Sequence, residues 1–200
     1  NFRRLMHEDL KNVSNHLMVL GIGMLAQAQK NALYVGHDTF IDEGAFAVLQ
    51  AAQSAELLIK AIIAEQHPLL IFSKVPKSTS VNGELLSMAH IFENGHTLQY
   101  IELPEKLWAS TGYKIKNQKV YSEFGKIRNT IQHFALPGPE VDLRKETIQF
   151  IYQVIDPLLN HFWNDFAVNY IDIEDSMDDT PSILMNYGVD VSFPKENEIL

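Results

Sequence analysis

Residues 43–66 read EGAFAVLQAAQSAELLIKAIIAEQ. Alanine, leucine and isoleucine dominate this stretch. Phe46, Leu49, Ala52, Leu58, Ile59, Ile62 and Ile63 spread over more than one face, the pattern of a helix buried on several sides. Pro68 stops it, because a proline offers no N–H and clashes with the preceding turn. Ser73 to Gly83, with Pro76, Ser78, Thr79, Ser80 and Asn82, then reads as a polar loop. A shorter helix is expected near Leu85 to Phe92. Gly95 and Pro104 punctuate two further short helical pieces, the second starting at Pro104, where a missing N–H costs nothing.

Working outward from that helix, the chain continues to show helical spacing. Leu10, Val13, Leu17, Leu20, Met24 and Ala28 recur at steps of three and four, which predicts an N-terminal helix over about 3–32. Val120, Phe124, Ile127, Ile131 and Phe134 make the cleanest amphipathic stripe, closed by Pro137-Gly138-Pro139. A last apolar pattern, Ile148, Ile151, Ile155, Leu158, Leu159, Phe162 and Phe166, contains Pro157 and predicts a kink or break near Asp156. Strand-like alternation is confined to short stretches such as Val189 to Phe193. The expected fold is therefore all-α: an antiparallel bundle of about five main helices in a single domain, 1–171, with its core over about 43–166. Residues 172–200 are expected to form an acidic, loosely ordered tail.

With 200 residues, 22.8 kDa and 46 % hydrophobic residues, the chain has enough apolar material for a sizeable core. There is no cysteine, so disulfides, thiolate nucleophiles and cysteine zinc sites are excluded. The longest apolar run, Leu17 to Ala26, falls short of the ~20 residues that span a bilayer, and its flanks do not resemble a signal peptide. No membrane association is expected, and the cytoplasm is the expected address. The net charge of −9 argues against indiscriminate polyanion binding. Charge is unevenly spread, however. Asp172, Glu174, Asp175, Asp178 and Asp179 crowd together, while Tyr113 to Arg128 holds Lys114, Lys116, Lys119, Lys126 and Arg128 against Glu123 alone. That basic stripe suits phosphate contacts, with Lys119 and Lys126 as candidate substrate-binding residues.

Several familiar patterns fail. Gly21, Gly23 and Ala26 match a dinucleotide-binding glycine spacing, with Asp38 and Asp42 downstream, but that mechanism needs a βαβ unit this chain lacks. Small residues for close helix packing are the better reading. No phosphate-binding loop, nucleophile elbow or H-E-x-x-H occurs. His161 and Asp165 stand four apart on an expected helix without an obvious third ligand, so neither a metal nor any other cofactor is expected.

Arg128-Asn129-Thr130-Ile131-Gln132-His133 is different, because it closes the basic stripe on a clear helix. At ~100° per residue Asn129 and His133 share a face, while Arg128 and His133 lie ~140° apart. Convergence on one substrate then requires the long arginine arm or two facing copies of the chain. A permanent guanidinium charge offsets charge developing on phosphorus, and an imidazole moves protons near neutrality. Together these are the requirements for metal-free RNA cleavage by the ribose 2′-hydroxyl, with His133 as acid or base, Arg128 offsetting the developing charge and Asn129 orienting His133 or a phosphate oxygen. The bland alternative is an arginine paired with Glu56 or Glu123 and a histidine complementing the helix dipole.

Arg128-Asn129 followed by His133 resembles the R-[polar]-x-x-x-H motif of HEPN domains. Upstream, Ala52-Gln53-Ser54-Ala55-Glu56-Leu57-Leu58-Ile59-Lys60-Ala61 is similar to that family's A-x-x-A-E-L-L-L-K-A helix, and Gly95-His96-Thr97-Leu98 to its G-H-x-L turn. The resemblance covers roughly residues 43–139. It implies a helical homodimer with facing motifs and, in many members, a metal-independent endoribonuclease of toxin–antitoxin, phage-defence or RNA-processing systems. Arg128 and His133 would then be catalytic and Asn129 supporting, with Glu56 a possible contributor. RNA would be the substrate, and an antitoxin or nucleotidyltransferase a possible partner. The alternative within the same family is a non-catalytic module binding a nucleotide, RNA or a protein.

Overall fold

A computed structural model describes residues 6, 8–34, 42–78, 85–171 and 180–189. The fold is all-α with one small antiparallel ladder. Its helices are α1 (Glu8–Lys11), α2 (Val13–Leu33), α3 (Glu43–Gln66), α4 (Met88–Asn94), α5 (Leu103–Thr111), α6 (Gln118–His133), α7 (Leu143–Phe150), α8 (Asp156–Trp163) and α9 (Thr180–Asn186). The ladder joins β1 (Phe72–Lys74) to β2 (His96–Thr97). The acidic run Asp172 to Asp179 and the alternating stretch beyond Val189 lie outside the described residues, as does Asp38.

The chain forms two compact units whose boundaries fall inside α2 and α3: residues 1–20 with 56–114, and residues 21–55 with 115–200. In the first unit, the leucines and isoleucines of late α3, Leu58, Ile59, Ile62 and Ile63, are buried together with Leu10, Ile71, Ile91, Leu103 and Leu107. The Ser14 hydroxyl donates to the Ala61 carbonyl at 3.0 Å, and the Asp9 carboxylate accepts the Met88 N–H at 3.0 Å. The first adds a second bond to a carbonyl inside α3, and the second satisfies a donor at the start of α4 that would otherwise be orphaned.

α3 begins and ends where its sequence predicts. Pro68 opens a 3₁₀ turn, Pro68–Ile71, and the His67 ring caps it by accepting the Leu69 N–H at 3.2 Å. Ser73, expected in a loop, belongs to β1 instead, which pairs with β2 through Phe72–Thr97 and Lys74–His96. Strands of three and two residues are too short to display alternation. The short helix expected from Leu85 starts three residues later, where Ser87 and His90 form a reciprocal capping box. α5 starts at Leu103 with Pro104 in its first turn, as the missing N–H allows.

In the second unit small residues take over. Ala45, Ala47, Ala51, Ala52 and Ala55 of early α3 are buried, as are Leu25, Ala28 and Ala32 of α2. The predicted N-terminal stripe needs correction: Leu20 is 43 % and Met24 36 % exposed, whereas Gly21 and Leu25 are buried. Gly21 does serve close packing, since its carbonyl accepts the Ser54 hydroxyl at 2.8 Å. Gly23 does not, because a Cβ there would meet nothing within 4 Å.

The break expected near Asp156 is a single π turn, Ile151–Ile155, between α7 and α8. Asp156 N–H reaches back to the Ile151 carbonyl, so the widened turn precedes Pro157, which has no N–H to contribute. The π turn also directs Tyr152 to Gln29, a fully buried amide that in turn donates to the Ala167 carbonyl at 2.9 Å. Asp156 accepts the Ala167 N–H at 2.7 Å, so both polar groups of that buried residue are satisfied.

Among the described residues α3 alone is long and apolar enough to cross a membrane, but 67 % of its most apolar window is buried within the chain. That burial is the property of a core helix.

Candidate functional site

α6 carries the candidate motif and is held by its opposite side. Tyr121, Phe124 and Gly125 are buried, and the Phe124 ring stacks on Phe150 of α7 at 3.9 Å between centroids with 5° between planes. Asn117, just before the helix, donates its amide to the Gln153 carbonyl at 3.3 Å. The expected stripe is thus shifted. Val120, Ile127 and Ile131 are only half-buried, Tyr121 replaces Val120 in the core, and Phe134 is 85 % exposed. The helix ends at His133, four residues before Pro137, so Phe134 caps it rather than continuing the buried face.

Arg128 follows Phe124 by four residues and Gly125 by three, so it emerges beside the buried face and is half-buried itself. Its guanidinium donates to the Asn129 carboxamide oxygen at 2.9 Å. One such bond orients the planar fork, which carries five donors in all. Asn129 and His133 are exposed on the outer face. His133 is the last helical residue and meets the edge of the Phe134 ring, centroids 6.3 Å apart. It thus stands at the end of the helix where the dipole favours positive charge.

The other expected residues have surroundings of their own. Lys119 is exposed and within 3.8 Å of Glu123, an i,i+4 contact that contributes little at a surface. Lys126 is exposed, and its carbonyl accepts the Thr130 hydroxyl at 3.0 Å. Glu56 belongs to the first compact unit, where it pairs with Lys60 at 2.7 Å. The helix therefore brings Arg128 and Asn129 together and ends on His133.

His161 and Asp165 do not share a helix. α8 ends at Trp163, and Asn164 adopts a left-handed conformation, φ 51°. Asp165 instead accepts from the Phe166 N–H at 2.8 Å, the Asn169 amide at 2.7 Å and the Tyr170 hydroxyl. Burial, then the bond to Asp165, pushes the Tyr170 phenol up to about 12. Among the described residues no cluster of three or more His, Asp or Glu side chains could hold a metal ion.

Sequence reasoning missed the apolar surface next to the motif. Phe134 is 85 % and Leu136 55 % exposed, directly after His133. The signal was present in Phe134-Ala135-Leu136 before the prolines, but periodicity assigned Phe134 to the core. Compared with family models, with curated proteins and with solved structures, the chain matches none.

Proposed function

We propose that this protein is an endoribonuclease of HEPN type, cleaving RNA without a metal by attack of the ribose 2′-hydroxyl. The observation that supports it is the end of α6: an arginine fork oriented by Asn129, followed one turn later by an exposed histidine at the helix terminus. In this reading His133 moves the proton and Arg128 offsets the charge developing on phosphorus. Lys126 and Lys119, exposed seven residues apart on one face of the same helix, contact the phosphate backbone.

The ~140° between Arg128 and His133 favours a composite site across two copies of the chain. Exposed Phe134 and Leu136 beside the motif favour the same arrangement, since apolar surface next to a polar centre suits a dimer seam. Toxin–antitoxin, phage-defence and RNA-processing settings in the cytoplasm fit this activity, with an antitoxin or a nucleotidyltransferase as regulator. The second reading is a non-catalytic dimer that binds RNA, a nucleotide or a protein, and the same apolar rim favours it.

Mixing two inactive variants tests the composite site. Arg128→Ala and His133→Ala homodimers should both be silent on RNA. After subunit exchange, half the dimers are mixed and each keeps one complete site, so about a quarter of wild-type activity should return. No recovery, with exchange verified, refutes a site shared between copies.

A further inference from the structure

A second feature of the fold lies wholly within the first compact unit. Ser73 of β1, Gly95, His96 and Thr97 at β2, and Gln99 and Glu102 beyond it line an open cavity of about 660 Å³. Its size falls within the range of small-molecule sites, but its wall is hydroxyl, imidazole, amide and carboxylate rather than apolar. We propose that this cavity binds a neutral polyhydroxyl ligand of the pentose or hexose class.

Lys60 is only 5 % exposed, and its ammonium is held by Glu56 at 2.7 Å and by the Thr97 hydroxyl oxygen at 3.3 Å. An ammonium only donates, so Thr97 accepts from Lys60 and its own O–H is turned elsewhere as a donor. Ser73 has the opposite polarity: its hydroxyl donates to the His96 carbonyl at 3.1 Å, which leaves its lone pairs as acceptors. Glu102 spends one carboxylate oxygen on the Gln99 N–H at 2.7 Å and keeps a second acceptor. Gly95 cannot carry a side chain here, because a Cβ would lie 2.7 Å from the Ile91 carbonyl oxygen. The cavity thus presents fixed donors and fixed acceptors side by side, the pattern that vicinal hydroxyls match.

Other ligand classes fit less well. An anion meets the Glu102 carboxylate, while the Lys60 charge is already offset by Glu56. A lipid or an aromatic ring lacks an apolar wall. An organic cation finds one carboxylate beside an imidazole.

NMR on the full chain tests the proposal with four probes: saturation transfer reads D-ribose, D-glucose and putrescine, and phosphorus-31 line broadening reads inorganic phosphate. Transfer to a sugar is expected in wild type and unchanged in His133→Ala, so the result is independent of the nuclease reading. Thr97→Val removes the hydroxyl with little change in shape and should weaken sugar binding at least about tenfold; it also takes one acceptor from Lys60, which keeps Glu56, so unfolding should shift down by a few degrees while the protein stays folded. Glu102→Gln should weaken it similarly. Absence of transfer to both sugars, binding of phosphate or putrescine alone, or undiminished binding by folded Thr97→Val would each overturn the assignment.

Discussion

Replacing Phe124 with alanine removes the anchor that holds the motif helix. Phe124 is 2 % exposed, and its ring lies flat on fully buried Phe150 at 3.9 Å. Truncating a buried phenylalanine costs about 3–5 kcal/mol, the lost transfer energy plus the cavity left behind. Near-complete burial of both rings places the expectation in the upper half of that range. Against a typical total of about 5–15 kcal/mol, the loss is a large share of stability. For a chain of this size it corresponds to a fall of roughly 6–20 °C in the unfolding midpoint. Urea titration followed by far-ultraviolet circular dichroism reads it directly, as a lower midpoint at constant slope. A loss below about 1 kcal/mol would mean that α6 is not held to α7 through this ring, and the placement of Arg128 and His133 would lose its foundation.

Three other outcomes follow from the same contacts. Arg128→Ala and His133→Ala should each change stability by less than about 0.5 kcal/mol in the same titration, since neither side chain fills the core; losses near 2 kcal/mol would make them structural residues. Lys60→Met should cost about 3 kcal/mol by leaving Glu56 without its partner in a poorly solvated place, and adding Glu56→Leu should restore most of that loss. Burial pushes the Asp165 carboxyl up, but hydrogen bonds from Tyr170, Asn169 and the Phe166 N–H outweigh it and hold the group below its ordinary 3.8. A depressed folded value stabilises above about pH 4 and is lost as pH falls further, so the stability gap between wild type and Asp165→Asn should be about 1 kcal/mol at neutrality and shrink in acid; a gap that widens in acid contradicts the assignment. Asp156 has the opposite sign, because burial raises its carboxyl and outweighs the Ala167 N–H.

How much was legible depended on length and on how one-sided each element is. α3 could be bounded from its letters because an unbroken run of good helix formers meets Pro68 at its end. α6 could be located but not oriented: Tyr121 and Phe124 both offer aromatic bulk, and only the stack on Phe150 decides which positions turn inward. α2 misled for a related reason. The stripe was read as one continuous helix, whereas α1 ends at Lys11 and α2 begins at Val13; Gly21 and Leu25 take the core places expected of Leu20 and Met24, and Ala28 alone of the later stripe is buried. The β1–β2 ladder depends on a partner more than twenty residues away and leaves no local trace. Pro157 announced an irregularity, but its form, a π turn, depends on which carbonyl the chain selects. Within the candidate site, the spacing of Arg128, Asn129 and His133 fixed their angular relation as soon as the helix formed. The role of Glu56 could not be settled that way, since its partner Lys60 is equally consistent with packing and with chemistry.

The most direct test of the central proposal is cleavage of a mixed-sequence RNA by wild type and His133→Ala in the presence of a chelator, with the product ends identified. The account predicts cyclic-phosphate ends from wild type and none from the variant, both proteins being folded to the same midpoint. Equal cleavage by the two proteins, or cleavage abolished by the chelator, contradicts it.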